Sequence, residues 1–414
     1  MRASPMRNAS SRSSSTNAPV RAFWILATVF FLVLSAIGAT MPFFALYARS
    51  LGASISELAL VVGVNATTSL VAGLFWGRMA DRVRRRRPFI IISMAALAII
   101  NVAISRVPTW EWLIPLHILL GVANGANAVT SLALMGDILH EHRHRSRFLS
   151  GYRMSGSLAF AIAVVLSGWL SENVNIRDSF LIAAACYAVA FVLALAIREP
   201  PPITSAARPT GFVALLSGPM RPLLIVALSY GVPFTAVFSV WPIWVSDELG
   251  LGRAMFAQLW GIAAFIEVPS LFVAGILMDR IGKRPLFMTG LIGFTGIYIA
   301  YVLFPNLSSL IAIQIVRGVV LASYAATSIT MAVELAPPHA RGRAAGLFTS
   351  AEGLSQILGN WLGPPVAAAA GFTGLFEIAA VVAAIGAAYS FIVLGRLRSN
   401  QTAAPTQNGA ADAH

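Results

Sequence analysis

Gly275-Ile-Leu-Met-Asp279-Arg280-Ile-Gly282-Lys283-Arg284-Pro285 joins two long apolar runs, and Gly77-Arg-Met-Ala-Asp81-Arg82-Val-Arg84-Arg-Arg-Arg87-Pro88 does the same 198 residues earlier. In each copy a Gly leads one apolar segment out, an Asp-Arg pair follows four residues later, and cations close the turn before the next segment. A charged turn used twice divides the chain into two halves.

Hydrophobic residues make up 57% of the chain and charged residues 11%, against roughly a quarter charged in an average soluble domain. Twelve apolar runs follow one another, at 23–48, 57–77, 89–105, 110–136, 149–170, 179–197, 222–245, 256–278, 286–304, 308–335, 344–370 and 372–395. Most approach or exceed the ~20 residues that cross ~30 Å of hydrocarbon. None alternates strictly between apolar and polar, so the fold expected is all-α and polytopic, each helix satisfying its own backbone in lipid.

The net charge of +13 does not mark a nucleic-acid partner, because 23 of the 29 Lys and Arg fall in the tails, the even-to-odd loops and the central linker. Arg49, Arg106, Arg177 and Arg253 occupy the alternate loops, and Arg153 and Arg317 lie within spans. Cations gather on the cytoplasmic side of membrane proteins, which puts both termini in the cytoplasm. The lone Cys186 forms no intrachain disulfide.

Pro200, Pro201, Pro202, Pro209 and Pro219 break any helix in the stretch 199–220. The expected organisation is a disordered tail at 1–20, a six-helix bundle at 21–198, a cytoplasmic linker at 199–220, a second six-helix bundle at 221–398 and a disordered tail at 399–414. The fourth and tenth spans support the duplication, since Leu113-Ile114 through Gly121-Val122 to Thr130 matches Leu310-Ile311 through Gly318-Val319 to Thr327 at a constant offset of 197. Parallel six-helix repeats with a substrate site between them recur in secondary transporters.

The charged turn resembles the signature Gly-x-x-x-Asp-Arg-x-Gly-Arg/Lys-Arg between the second and third helices of the major facilitator superfamily. The later copy matches throughout, whereas the earlier has Arg84 where the signature has Gly. Length, twelve spans and linker agree with that family over essentially the whole chain. A narrower similarity, to bacterial sugar efflux transporters, lies in Pro242-Ile-Trp244-Val-Ser-Asp-Glu248, Ala264-Phe-Ile-Glu267-Val-Pro269 and Arg343-Ala-Ala-Gly-Leu-Phe348-Thr349. The Gly-Pro element of drug antiporters is missing from 149–170.

Ionisable groups inside spans cost roughly 2.5–3.5 kcal/mol each, so each needs a reason. Glu267 sits near the middle of its run, too deep to reach either interface, and suits a proton bound on one side and released on the other; the alternative is a protonated packing residue. Glu352, Gln356 and Asn360 recur at every fourth residue of the eleventh span, as a cavity stripe or an interhelical hydrogen-bond seam. His117 and Asn124 lie seven apart in the fourth span, and His117 takes the place where the family's motif usually has Arg; coupling and packing both remain open for it. Arg317 requires a partner, for which Glu267 and Glu352 are candidates.

Tyr230, Phe234, Phe238 and Trp241 form one aromatic face of the seventh span, suited to the apolar face of a sugar or to a hydrophobic drug, or else to lipid and packing. Asn65 is a further substrate candidate. At the cytoplasmic side, Asp81 and Arg82 with Asp137, and Asp279 and Arg280 with Glu334 and Arg341, read as two pseudo-symmetric latches; Asp81 is placed either to cap the third helix or to pair with the cations of 82–87.

The sequence thus points to a non-enzymatic, monomeric secondary transporter that exports a sugar or sugar-like solute by alternating access, driven by protons. It is expected to use no cofactor or metal and to contact lipid but no nucleic acid. The alternatives are a multidrug or amphiphile antiporter and a non-transporting sensor. No Walker-type loop and no HExxH motif occurs, which argues against an ATP-driven pump and a zinc enzyme.

Overall fold

The computed structural model describes residues 13–139, 145–197, 199, 220–334 and 341–402. Among them α1 (Ser13–Thr40) passes through a 3-10 turn at Met41–Phe43, opened by Pro42, into α2 (Phe44–Ser50). The first half continues with α3 (Leu58–Val83), α4 (Arg87–Ser105), α5 (Leu113–Ile138), α6 (Arg145–Asn173) and α7 (Ile176–Leu195). The second comprises α8 (Met220–Ile243), α9 (Gly252–Ile281), α10 (Lys283–Leu303), α11 (Leu307–Glu334) and α12 (Arg341–Thr402).

Eleven helical stretches among the described residues are long and apolar enough to cross a bilayer. The last makes two crossings, because α12 leaves helical geometry at Gly371 (φ 74°, ψ 172°), a conformation open to a residue without Cβ. Twelve spans result. α1 begins at Ser13, inside the stretch expected to be a tail, and α12 runs to Thr402, past the expected end of the second bundle. A helix already nucleated by its membrane span adds residues at little expense, which accounts for both extensions. Residues 1–12, 201–219 and 403–414, which hold the rest of the tails and most of the linker, lie outside the described residues.

Two compact units form, one from Met1–Ala207 with Val245–Phe265, the other from Arg208–Trp244 with Ile266–His414. One segment of the second expected bundle therefore groups with the first: the first part of α9 belongs to the first unit. Its packing explains why. Phe256 is fully buried, edge-on to Phe43 at 5.5 Å, Gly168 of α6 lies against Ala257, and Gly261 lies against Val165. At the start of α9 the Glu172 carboxylate accepts from the Ala254 N–H, and Arg253 Nη1 donates to the Ser171 carbonyl at 3.1 Å. A carboxylate at the N-terminus of a helix meets the positive end of its dipole.

Close approach of backbones sets the packing inside each unit, as lipid supplies no hydrophobic drive between helices. A Cβ added at Gly125 of α5 would lie 2.5 Å from the Ser69 carbonyl oxygen of α3, and one at Gly363 of α12 would lie 2.5 Å from the Ala236 carbonyl oxygen of α8.

The two charged turns share positive φ despite their different residues. Gly282 takes φ 84° and Arg84 takes φ 54°, ψ 26°, the left-handed region. Arg84 carries about 1–2 kcal/mol of strain that glycine avoids.

Candidate functional site

Arg317 organises the second unit. The residue is 4% exposed on α11, and its guanidinium carbon sits 4.6 Å from the Phe238 ring centre and 5.8 Å from that of Trp241, both on α8. Buried cation–π contacts contribute up to about 2 kcal/mol each. Tyr301 of α10 bonds with Arg317 and accepts from Gln314 Nε2 at 3.0 Å. Glu267 of α9 interacts with Arg317 electrostatically, and with Tyr230. Glu352 of α12 acts on Tyr230 and Tyr324.

The aromatic face of α8 turns into the unit, not toward lipid. Tyr230, Phe238 and Trp241 are buried, and neighbouring centroids run continuously from Tyr230 to Phe234 at 5.8 Å, Phe234 to Phe238 at 4.8 Å and Phe238 to Trp241 at 6.1 Å. Tyr230 also stacks on Tyr324 at 3.6 Å and meets Phe294 edge-on at 5.1 Å. The hydroxyls of Tyr230, Tyr298 and Tyr324 and the Gln314 carbonyl oxygen are buried without a protein hydrogen-bond partner among the described residues. Each such group costs about 1–3 kcal/mol unless something polar meets it. Along α12, Gln356 is exposed while Glu352 and Asn360 are half-buried.

Tyr298, Tyr301, Gln314 and Tyr324 escaped the sequence reading. A signal existed for Gln314, which precedes Arg317 by three residues and so shares its helix face.

In the first unit the polar candidates do not converge in the same way. His117 is buried, its Nδ1 3.0 Å from the Leu113 carbonyl of its own helix and its ring 4.0 Å from that of Phe44. Asn65 Nδ2 donates to the His117 carbonyl at 3.2 Å, which joins α3 to α5. Asn124 is half-buried.

The charged turns pair differently from expectation. Asp137 binds Arg86, and Glu334 binds Lys283; both cations and both acids repeat at the offset of 197 that relates the fourth and tenth spans. Arg87 then donates to the Leu195 carbonyl at 2.5 Å and Arg284 to that of Phe391 at 2.9 Å. Asp81, Arg82, Asp279, Arg280 and Arg341 are exposed. Asp81 does not cap α4. Glu199 does, its carboxylate accepting from the N–H groups of Arg86 and Arg87, because the chain leaving α7 returns to the start of α4. Each ion pair joins elements of a single unit.

A family model described as Major Facilitator Superfamily matches residues 25–305 and 223–412. The chain belongs to the Major Facilitator Superfamily. Among its curated relatives, the "Multidrug resistance protein MdtG" of Enterobacter lignolyticus is 26% identical over 91% of this chain and 93% of the relative. "Sugar efflux transporter A" of Escherichia coli is 25% identical over 81% of this chain and 87% of the relative. Among solved structures, the nucleoside transporter NupG superposes with a TM-score of 0.71 at 16% identity, covering 91% of this chain and 99% of NupG. A bacterial homologue of the human lysosomal transporter Spinster gives 0.75 at 15% identity, covering 92% and 98%. This facilitator is a multi-pass membrane transporter of small molecules.

Proposed function

We propose that this facilitator exports sugars or sugar-like solutes by alternating access, with inward proton movement through Glu267 as the drive. The observation that carries the reading is the Arg317 cluster, where one guanidinium lies against the Phe238 and Trp241 rings beside a carboxylate. Aromatic faces suit the apolar side of a sugar ring, and the phenol hydroxyls, Gln314 and Arg317 suit its hydroxyl groups. A charged Glu267 accepts hydrogen bonds from solute hydroxyls; a protonated one loses that charge as an acceptor and favours release of the solute. Proton uptake and solute binding thereby exclude each other at one carboxylate, which is the coupling an antiporter needs.

Glu352, Gln356 and Asn360 extend the polar lining of the second unit, and Asn65 and Asn124 are the first unit's own substrate candidates. His117 serves packing, given its contacts with Phe44 and Leu113. The turns stiffen each unit so that it moves as a body. The chain acts as a monomer in a bacterial inner membrane with both termini cytoplasmic.

Purified protein in proteoliposomes under an imposed pH gradient, assayed with a panel of sugars and cationic drugs, tests this. Gradient-driven sugar movement that Glu267→Gln abolishes is the expected result, and full activity of that variant removes Glu267 as the proton carrier. The relatives named for multidrug resistance favour a second reading, an amphiphile antiporter. Drug transport without sugar transport in the same panel would establish it.

A further inference from the structure

The two charged turns differ in a respect that their ion pairs do not explain. From Arg78 to Arg85 the first carries Arg78, Arg82, Arg84 and Arg85 against Asp81, a net charge of +3, whereas the matching stretch 276–282 of the second carries Asp279 and Arg280 and is neutral. Ile276 stands where the first turn has Arg78, Gly282 stands where it has Arg84, and the second turn is one residue shorter. All four arginines are exposed. None forms a hydrogen bond or ion pair among the described residues, and Asp137 is taken by Arg86. Arg84 keeps its charge there despite the left-handed backbone at φ 54°.

Depth and surface say what those charges meet. Arg78 stands twenty residues beyond Leu58, the first residue of α3 after Ser56 and Glu57, which is about 30 Å along the helix and equals the hydrocarbon thickness. Arg82 follows one turn later, so both guanidiniums lie in the headgroup layer. Toward the bilayer interior the same face of α3 continues through Phe75, Leu74 and Val71, which precede Arg78 by three, four and seven residues and are 59%, 56% and 61% exposed. The surface thus has two parts, an apolar stripe that an acyl chain can cover and a pair of guanidiniums whose geometry matches phosphate oxygens. The second unit has the stripe without the cations: Phe272 and Val273 of α9 take the places of Leu74 and Phe75 and are 66% and 49% exposed. A zwitterionic phospholipid offers a cluster of cations no net charge, whereas an anionic one gains from each cation near it.

We infer that α3 and the first turn form a site for an anionic phospholipid, its acyl chain along Val71, Leu74 and Phe75 and its headgroup phosphate on Arg78 and Arg82, with Arg84 and Arg85 adding to the local positive potential. The second turn has no such site. The inference is independent of the Arg317 cluster and stands whether that cluster carries sugars or drugs.

The test uses full-length protein in phosphatidylcholine nanodiscs that hold a trace of phosphatidylglycerol or of phosphatidylcholine with the same photoreactive acyl chain, labelled peptides being mapped by mass spectrometry. The ratio of phosphatidylglycerol to phosphatidylcholine labelling should be high on the Val71 to Phe75 stripe of α3 and much lower on the matching stripe of α9. Replacing Arg78 and Arg82 together by Gln should lower the ratio on α3 about 30-fold, about fivefold for each cation removed. Replacing both by Lys should keep most of it, and the phosphatidylcholine probe should label parent and variants alike. Equal ratios on α3 and α9 overturn the assignment, as does a ratio on α3 that survives the double Gln substitution. Loss of the phosphatidylglycerol label to inorganic phosphate at matched ionic strength also overturns it, because the cations would then serve a soluble anion.

Discussion

Replacing Asp137 by Asn and, separately, Glu334 by Gln asks whether the two pseudo-symmetric ion pairs brace their units equally. The structure says they do not. The side chains of Arg86 and Asp137 are 23% and 20% exposed, and Arg86 also donates to the Ala133 carbonyl at 2.8 Å. A hydrogen bond to a charged group in such a setting contributes about 1.5–3 kcal/mol, so its loss should cost about 2 kcal/mol. Lys283 and Glu334 are 28% and 54% exposed, where solvent screens the pair and its contribution falls to about 0–1 kcal/mol. Amide hydrogen exchange in nanodiscs reads both numbers, because local opening of the first turn of α4 or α10 reports the brace beside it. Asp137→Asn should speed exchange at the start of α4 by about 30-fold, and Glu334→Gln should speed it at the start of α10 by less than about 5-fold. Equal acceleration in the two variants, or none at α4 in Asp137→Asn, would refute the reasoning.

Three other substitutions probe different terms. Arg84→Gly relieves the left-handed strain at φ 54° and, after the entropy that glycine adds to the unfolded chain, should stabilise by about 0.5–1 kcal/mol, seen as a higher thermal midpoint. Gly363→Val sets a Cβ 2.5 Å from the Ala236 carbonyl oxygen and should abolish the monodisperse peak in fluorescence-detected size exclusion, whereas Gly296→Val, with nothing within 4 Å, should keep it. Arg317→Lys retains the charge but not the planar guanidinium over Phe238, so proteoliposome transport should fall about tenfold, the equivalent of one lost cation–π contact.

Length and composition made the twelve spans legible, and the repeated turn made their grouping legible, because a bilayer imposes one length and one polarity on every crossing. Partners were harder. Arg86 and Glu199 are 113 residues apart, and nothing in local spacing says that the chain leaving α7 returns to cap α4. Glu267 was legible as a carboxylate deep in its span, and Arg317 as a cation in need of one, but the two stand on different helices and no local pattern in the sequence joins them. The aromatic row of α8 was legible as a face; the direction it points is a property of its neighbours, whose Tyr298, Tyr301 and Tyr324 looked in sequence like ordinary apolar filling. Internal repetition likewise records how the chain arose and not which segments touch, so the allegiance of 245–265 to the first unit was invisible.

That allegiance bears on how the chain is made. A ribosome that has delivered α1 to α7 has not yet delivered everything the first unit contains, because Val245–Phe265 is still to come. Until then Gly168 and Val165 of α6 are without Ala257 and Gly261, which lie against them in the folded chain. A fragment ending at the linker therefore lacks the residues that lie against Gly168 and Val165 of α6.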